Sequence, residues 1–121
     1  VNIYSSSHGN INRGGYIGNW GNSTIWNIKG DFVNNNLILK VGNYESTIEG
    51  GGFIGNYASS SNEQSIGDIN SNFIDNTVMV SAPTATVAGG GIIGNYNYYN
   101  SSQKGLSIGN INGDFINNKI T

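Results

Sequence analysis

The sequence has no cysteine, one proline and one histidine, and charged residues make up only 10% of its 121 positions. The absence of cysteine excludes disulfide frameworks and thiolate metal sites. Soluble domains average about 25% charged residues, whereas 22 asparagines and 14 serines supply most of the polarity of this chain. The surface is therefore expected to consist of neutral amides and hydroxyls.

Long apolar runs and basic clusters are also missing. The five basic and seven acidic residues give a net charge of -2, which argues against nucleic acid as a partner because phosphates are met by patches of Lys and Arg. No stretch approaches the roughly 20 apolar residues of a membrane-spanning helix. Any export signal or anchor is expected to lie outside this segment, which should not insert into a membrane.

The main feature of the chain is a repeat of about 40 residues that contains two blocks. Steps of 37 and 39 residues separate copies of the first block, at 11–20, 48–57 and 87–96. Steps of 41 and 42 residues separate copies of the second, at 25–35, 66–76 and 108–118. We therefore divide one continuous domain into residues 1–10, the tail of a preceding repeat, and repeats at 11–47, 48–86 and 87–121.

A repeat of this length is typical of a helical pair, a propeller blade or turns of a β-solenoid. The 19 glycines and the asparagines disfavour helices, and a blade needs four hairpin-linked strands. Two solenoid coils of roughly 20 residues per repeat fit the two blocks better. The predicted fold is an all-β, right-handed parallel β-helix of about six coils, a fragment of a longer solenoid.

In such a fold each position stacks on its counterpart about 4.8 Å away, so that like residues form ladders. Alternation predicts that a large, a small and an aromatic residue point inward in each repeat, which makes a core ladder of Phe32, Phe73 and Phe115. Asparagines are expected to turn the chain at corners with left-handed backbone and to bond along the stack: Asn35, Asn76, Asn118, Asn19, Asn56 and Asn95. The glycine pairs predict tight corners or close backbone approach.

These blocks resemble the repeats of polymorphic outer membrane proteins. Their GG-x-I tetrapeptide is similar to 14–17, 51–54 and 90–93, although Tyr16, Phe53 and Ile92 replace the usual small third residue. Their F-x-x-N tetrapeptide matches 32–35, 73–76 and 115–118. The resemblance implies a β-helical passenger of an autotransporter-like, type V surface protein of a Gram-negative bacterium, extracellular on the outer membrane and typically involved in adhesion.

The gaps between the two blocks differ in length, with four residues at 21–24, eight at 58–65 and eleven at 97–107. All three are expected at one solenoid corner, where loops often form a binding face. Drift at a permissive corner is the alternative explanation. The candidate ligand-binding residues gather there, with Trp26 nearby: Trp20, Tyr57, Tyr96, Tyr98 and Tyr99. Exposed rings can stack on sugars or anchor proteins, although a ladder of rings can also be a structural seam.

Catalytic and metal sites find little support in the sequence. Asp31 and Asp114 are equivalent positions, and a separation of about four coils would place them roughly 19 Å apart, beyond the reach of a glycosidase pair. His8 has no second histidine or nearby acid to share a metal. No enzymatic activity, metal or cofactor is therefore predicted.

Three functions follow in order of preference. The first is a stalk and adhesin segment that binds a host or cell-surface glycan or protein through the corner loops. The second is an extracellular filament subunit, because neither end shows a polar cap and uncapped coils pair with flanking coils or identical subunits end to end. The third is a fragment of a carbohydrate-active β-helix enzyme.

Overall fold

The computed structural model describes residues 2–5, 11–12, 15–20, 23–42, 47–49, 52–58, 64–82, 86–88, 91–97 and 106–121. Every regular element in these ranges is a β-strand. In chain order the strands are β1 (Asn2–Ser5), β2 (Ile11–Asn12), β3 (Ile17–Trp20), β4 (Thr24–Lys29), β5 (Phe32–Val33), β6 (Asn36–Val41), β7 (Thr47–Glu49), β8 (Ile54–Ala58), β9 (Gln64–Asn70), β10 (Phe73–Ile74), β11 (Thr77–Ser81), β12 (Thr86–Ala88), β13 (Ile93–Asn97), β14 (Leu106–Ile108), β15 (Ile111–Asn112), β16 (Phe115–Ile116) and β17 (Lys119–Ile120). None of the described ranges contains a helix long and apolar enough to cross a membrane.

The strands of the described ranges form five parallel sheets that the chain visits in a fixed order. We number the sheets I to V in that order: sheet I holds β2, β7 and β12; sheet II holds β3, β8 and β13; sheet III holds β4, β9, β14 and β15; sheet IV holds β5, β10 and β16; sheet V holds β1, β6, β11 and β17. All pairings are parallel and join equivalent positions of successive repeats. The predicted all-β, parallel solenoid arrangement is therefore confirmed at this level, and its handedness stays a prediction.

The prediction of two coils per repeat is wrong. Phe32 pairs with Phe73 and Phe73 with Phe115, so a strand meets its hydrogen-bonded neighbour one whole repeat later. The two sequence blocks lie on different sheets of the same coil, because β8 belongs to sheet II and β10 to sheet IV. Each repeat of about 40 residues thus makes one wide coil with five short sides, and the three repeats make three coils, called here the first, second and third.

The core is a set of apolar columns, as alternation predicts. The Phe32, Phe73 and Phe115 rings stack with centroids 4.8 Å apart at each step. Phe73 in the second coil is fully buried, whereas Phe115 in the third coil is 49% exposed because no ring covers its outer face in the described structure. Ser71 fills the small inward position, and its buried hydroxyl has no hydrogen-bond partner among the described residues. The inward alternation of large, small and aromatic residues is therefore confirmed in the second coil.

The left-handed corner residue lies one position earlier than the sequence indicates. Positive φ angles of 53°, 54° and 52° belong to Asn34, Asp75 and Asn117, which precede the predicted Asn35, Asn76 and Asn118. Asn and Asp tolerate this backbone better than other side chains. The following asparagines form a ladder as predicted: the Asn35 Nδ2 donates to Asn76 Oδ1 at 3.0 Å, and Asn76 Nδ2 donates to Asn118 Oδ1 at 2.9 Å.

Both explanations offered for the glycine pairs hold, at different copies. Gly52 and Gly91 have φ angles of 110° and 80°, in the region that favours glycine. A Cβ on Gly52 would also overlap the backbone carbonyl of Gly91 in the next coil. At Gly15 the reason is space alone, because a Cβ there would meet the Leu37 methyl groups at 2.5 and 2.6 Å.

We predict that Phe73→Ala lowers the free energy of unfolding by about 3–5 kcal/mol, since it opens a cavity between two stacked rings. Phe115→Ala is the matched control, because it removes the same ring from a half-exposed position. Urea unfolding followed by circular dichroism measures both. Equal losses in the two variants would contradict the assignment of Phe73 to the centre of the core.

Candidate binding corner

The three variable segments leave the solenoid from one place. Trp20, Tyr57 and Tyr96 pair at the end of sheet II, and Thr24, Ser65 and Ser107 pair on sheet III. Between these in-register residues lie segments of three (21–23), seven (58–64) and ten residues (97–106). The prediction of a single shared corner is thus confirmed. We call these three segments and their in-register flanks the insertion corner.

A ladder of buried amides holds the base of the insertion corner. Asn19 Nδ2 donates to Asn56 Oδ1 at 2.9 Å and to the backbone carbonyl of Ser65 at 3.0 Å. Asn56 Nδ2 repeats the pattern one coil later, donating to Asn95 Oδ1 at 3.1 Å and to the carbonyl of Ser107 at 3.2 Å. Each amide therefore fixes the residue at which the insertion of the next coil returns to the sheet.

These asparagines differ from their prediction in one respect. Asn19, Asn56 and Asn95 lie within β3, β8 and β13, with none of the positive φ angles expected for a turn residue. The predicted bonding along the stack is correct, but these amides hold the corner from inside the strands that precede it. We call the three asparagines the amide clamp. Hydrogen bonds between buried amides are stronger than in water, and a buried amide without a partner is costly. The amide clamp consequently keeps the two residues that flank each insertion, called here its anchors, in register whatever the length of the insertion.

The predicted aromatic ladder is present in the register of the backbone, since Trp20, Tyr57 and Tyr96 are paired. Tyr57 is only 6% exposed, so the prediction of a ligand-binding ring at this position is not supported by its burial. The side chains of Trp20 and Tyr96, and the whole of Tyr98 and Tyr99, lie outside the described part of the structure. Their role in binding stays a prediction.

Trp26, which the sequence places near the candidate ligand-binding residues without counting it among them, is exposed. It lies on β4, two residues after Thr24, and 82% of its surface is accessible. Its aligned positions in the other repeats are Gly67 and Gly109, so its own column offers no second ring. A Cβ on Gly67 would overlap the Trp26 backbone carbonyl, which explains the glycine. A Trp-Gly-Gly column, in place of a like-on-like column, is the sequence signal that marks Trp26.

The acidic residues Asp31 and Asp114 lie in one polar column, on either side of Asn72. Because a repeat is one coil, Asp31 and Asp114 are two coils apart, about 10 Å at the strand spacing, and the predicted separation of 19 Å is wrong. Distance therefore no longer argues against a catalytic pair. Asn72 lies between them: its backbone N–H donates to Asp31 Oδ1 at 2.9 Å, and its own Oδ1 accepts from the Asp114 N–H at 3.0 Å. The Asp31 carboxyl group thus accepts a structural hydrogen bond, whereas Asp114 takes part through its backbone. The absence of enzymatic activity stays a prediction.

The described residues contain no pocket and no cluster of three potential metal-ligating side chains. His8 lies outside the described ranges. Among the described residues near the insertion corner, the exposed ring of Trp26 is the aromatic surface that a ligand could contact.

Comparison with known proteins adds no relative. No protein-family model, no curated protein and no solved structure matches this chain. The resemblance to polymorphic outer membrane protein repeats therefore rests on the GG-x-I and F-x-x-N motifs alone.

We predict that Asn56→Ala lowers the free energy of unfolding by about 1–3 kcal/mol, because the Asn19 amide and the Ser107 carbonyl lose a buried partner. Asn95→Ala is the matched control in the exposed rung of the same ladder, where a loss below about 1 kcal/mol is expected. Chemical unfolding measures both values. A smaller loss for Asn56→Ala than for Asn95→Ala would rule out the clamp.

Proposed function

We propose that this chain is a scaffold segment of a right-handed β-solenoid passenger from a surface-exposed protein of a Gram-negative bacterium. It binds a host or cell-surface glycan or protein through the insertion corner. The observation that carries this proposal is the combination of fixed anchors with insertions of three, seven and ten residues. The motif resemblance supports the location outside the cell.

The scaffold function rests on the columns. Apolar columns and amide ladders repeat at every coil, so the rod needs neither disulfides nor ion pairs for its stiffness. Neutral amides also interact little with salt, because screening acts on charges. A stalk of this kind keeps its geometry across the ionic conditions that a cell surface meets.

The binding function rests on the chemistry around the insertion corner. Trp26 offers an indole face with few neighbours, and aromatic faces stack on sugar rings or fill protein pockets with little loss of entropy. Segment 97–106 contains two each of Asn, Tyr and Ser, and segment 58–64 contains three Ser and one Asn. These residue types dominate adaptable binding loops. With a net charge of only -2, recognition would depend on hydrogen bonds and stacking more than on electrostatic steering.

Replacing residues 97–106 with Gly-Asn-Ser, the sequence of 21–23, tests the role of the longest insertion. Residues 21–23 join the same two columns in the first coil, so the graft should close the corner without disturbing the sheets. We expect binding to glycan arrays or host-cell surface proteins to fall at least tenfold, with unchanged β-sheet circular dichroism.

The same graft in place of 58–64 is the matched control for the shortened corner. Loss of binding in the 97–106 graft alone assigns recognition to the third-coil insertion. Loss in both assigns it to the corner as a whole. Binding that persists in both grafts would overturn the adhesin proposal and leave a scaffold.

A second prediction concerns the exposed indole. Trp26→Ala should change the free energy of unfolding by less than about 0.5 kcal/mol, since a surface side chain is removed. It should weaken ligand binding at least tenfold, which corresponds to about 1.4 kcal/mol. Met79→Ala, an exposed apolar residue on sheet V, is the control. Equal affinities for the two variants would remove Trp26 from the binding surface.

A further inference from the structure

The outer side of sheet III carries one aromatic ring among polar side chains. Isoleucines of β4 and β9 point into the core, where Ile28, Ile66 and Ile69 are buried. Trp26 follows the inward Ile25 on β4, so it points outward, and it is exposed. The polar side chains described on these two strands are exposed or half-buried: Thr24, Asn27, Lys29, Ser65, Asp68 and Asn70. We call this outer side the sheet III face.

The column of Trp26 holds no other side chain, because its aligned positions are Gly67 and Gly109. Close packing of the backbone requires both glycines. A Cβ on Gly67 would overlap the Trp26 carbonyl, and a Cβ on Gly109 would meet the carbonyl carbon of Gly67 at 2.9 Å. An indole as exposed as that of Trp26 covers little of either glycine. The two glycines therefore leave a strip of bare backbone beside the ring, called here the glycine lane.

Columns of hydrogen-bonding side chains border the glycine lane on both sides, at 24–65–107 and at 27–68–110. Within these borders the Ser65 hydroxyl donates to Thr24 Oγ1 at 3.2 Å, and Asp68 Oδ1 accepts the Asn110 N–H at 2.9 Å. Asn27 Oδ1 accepts the Asp68 N–H at 3.0 Å. Asp68 Oδ2 and Asn27 Nδ2 have no hydrogen-bond partner among the described residues. The border thus offers an acceptor and a donor to a ligand.

The balance of groups on the sheet III face fits a sugar better than a protein. The core of a protein interface consists of several apolar or aromatic side chains packed together. Trp26 is the one large apolar side chain that the described part of this face presents. A sugar ring has an apolar face that can stack on an indole, and its hydroxyls both donate and accept. Such hydroxyls match an amide donor and a carboxylate acceptor on the same border.

The charges of the sheet III face favour a neutral sugar. Among its described side chains Asp68 is the single acid and Lys29 the single base, so their formal charges cancel. Asp68 lies in the column next to that of Trp26, where its carboxylate would repel a sugar acid held on the indole. Surfaces that attract polyanions carry many charges of one sign, and the described part of this face has one base.

We propose that the sheet III face binds a neutral glycan, with one sugar stacked on Trp26 and the following sugars laid along the glycine lane. Successive coils are about 4.8 Å apart, which is close to the length of one sugar residue in an extended chain. Each coil can then hold one sugar between a hydroxyl on one border and an amide or carboxylate on the other. This inference rests on the proposed binding function and names its ligand class.

The first test measures the stacking on Trp26. The unmodified chain is titrated with neutral hexaoses of glucose, mannose, galactose and N-acetylglucosamine, and with the acidic hexamer of galacturonic acid. Tryptophan fluorescence and isothermal titration calorimetry follow binding. We expect a saturable shift of the emission with at least one neutral hexaose, and a Kd about tenfold higher for the acidic hexamer. Trp26→Ala, which keeps the indole at position 20, should lose the shift.

A second test concerns the border of the glycine lane. Asp68→Asn gives the column the residue that it already has at 27 and 110, so the fold should persist. The change replaces a charged acceptor by an amide, and charge-assisted hydrogen bonds are stronger than neutral ones, so Kd for the neutral hexaose should rise about fivefold. Asp75→Asn is the matched control: it makes the same change at a corner before sheet V, where Asn34 and Asn117 have the same left-handed backbone. It should bind like the unmodified chain.

Circular dichroism and urea unfolding check that the variants fold. Absence of binding with every neutral hexaose would overturn this inference, as would equal Kd values for Asp68→Asn and the unmodified chain. Equal or tighter binding of the acidic hexamer would also overturn it. Failure of the proposed function looks different, because glycans and host-cell surface proteins would then both fail to bind the unmodified chain. Binding of a surface protein without binding of any hexaose would retain the proposed function and reject the glycan.

Discussion

The structure depends on one constraint, the stacking of each residue on its own counterpart in the next coil. Parallel strands in register place equivalent side chains about 4.8 Å apart. Each residue of a column must therefore be able to pack on, or bond to, a like residue in the next coil, a condition we call self-compatibility. Phenylalanine satisfies this condition by ring stacking, as Phe32, Phe73 and Phe115 do with nearly parallel planes. Isoleucine satisfies it by shape, in the column of Ile28, Ile69 and Ile111.

Self-compatibility also explains why the sequence is so poor in charge. Like charges stacked at this distance repel, whereas an amide carries a donor and an acceptor and can bond a copy of itself. The acids follow the same logic. In the columns 31–72–114, 27–68–110 and 34–75–117, every aspartate has an asparagine as its neighbour and never another acid. Asp68 shows the benefit, since its Oδ1 accepts the Asn110 N–H at 2.9 Å while its own N–H donates to Asn27.

The sequence predicted the columns well and the path of the chain poorly. Periodicity reports which residues are equivalent, so the Phe, Asn and aromatic columns could be read directly. It does not report how many sheets lie between two equivalents, and the two apolar blocks were mistaken for two coils. The left-handed residue was misplaced by one because Asn34 and Asn35 are chemically alike, and only backbone geometry separates the turn from the ladder. Trp26 breaks the repeat, so periodicity indicated it only as a neighbour of the candidate binding residues.

The same architecture separates two tasks in space. Core columns run along the axis, and the flanks of the three insertions lie in register at one corner. The amide clamp is what makes the separation possible. Asn56 bonds the anchor of the following insertion from within a strand, so residues added between Tyr96 and Ser107 change nothing in the sheets that flank them. A corner built in this way can vary in loop length, whereas the residues of the other columns must still stack on their own counterparts. The contrast between the strict repeat of the columns and the unequal insertions of three, seven and ten residues follows from that division.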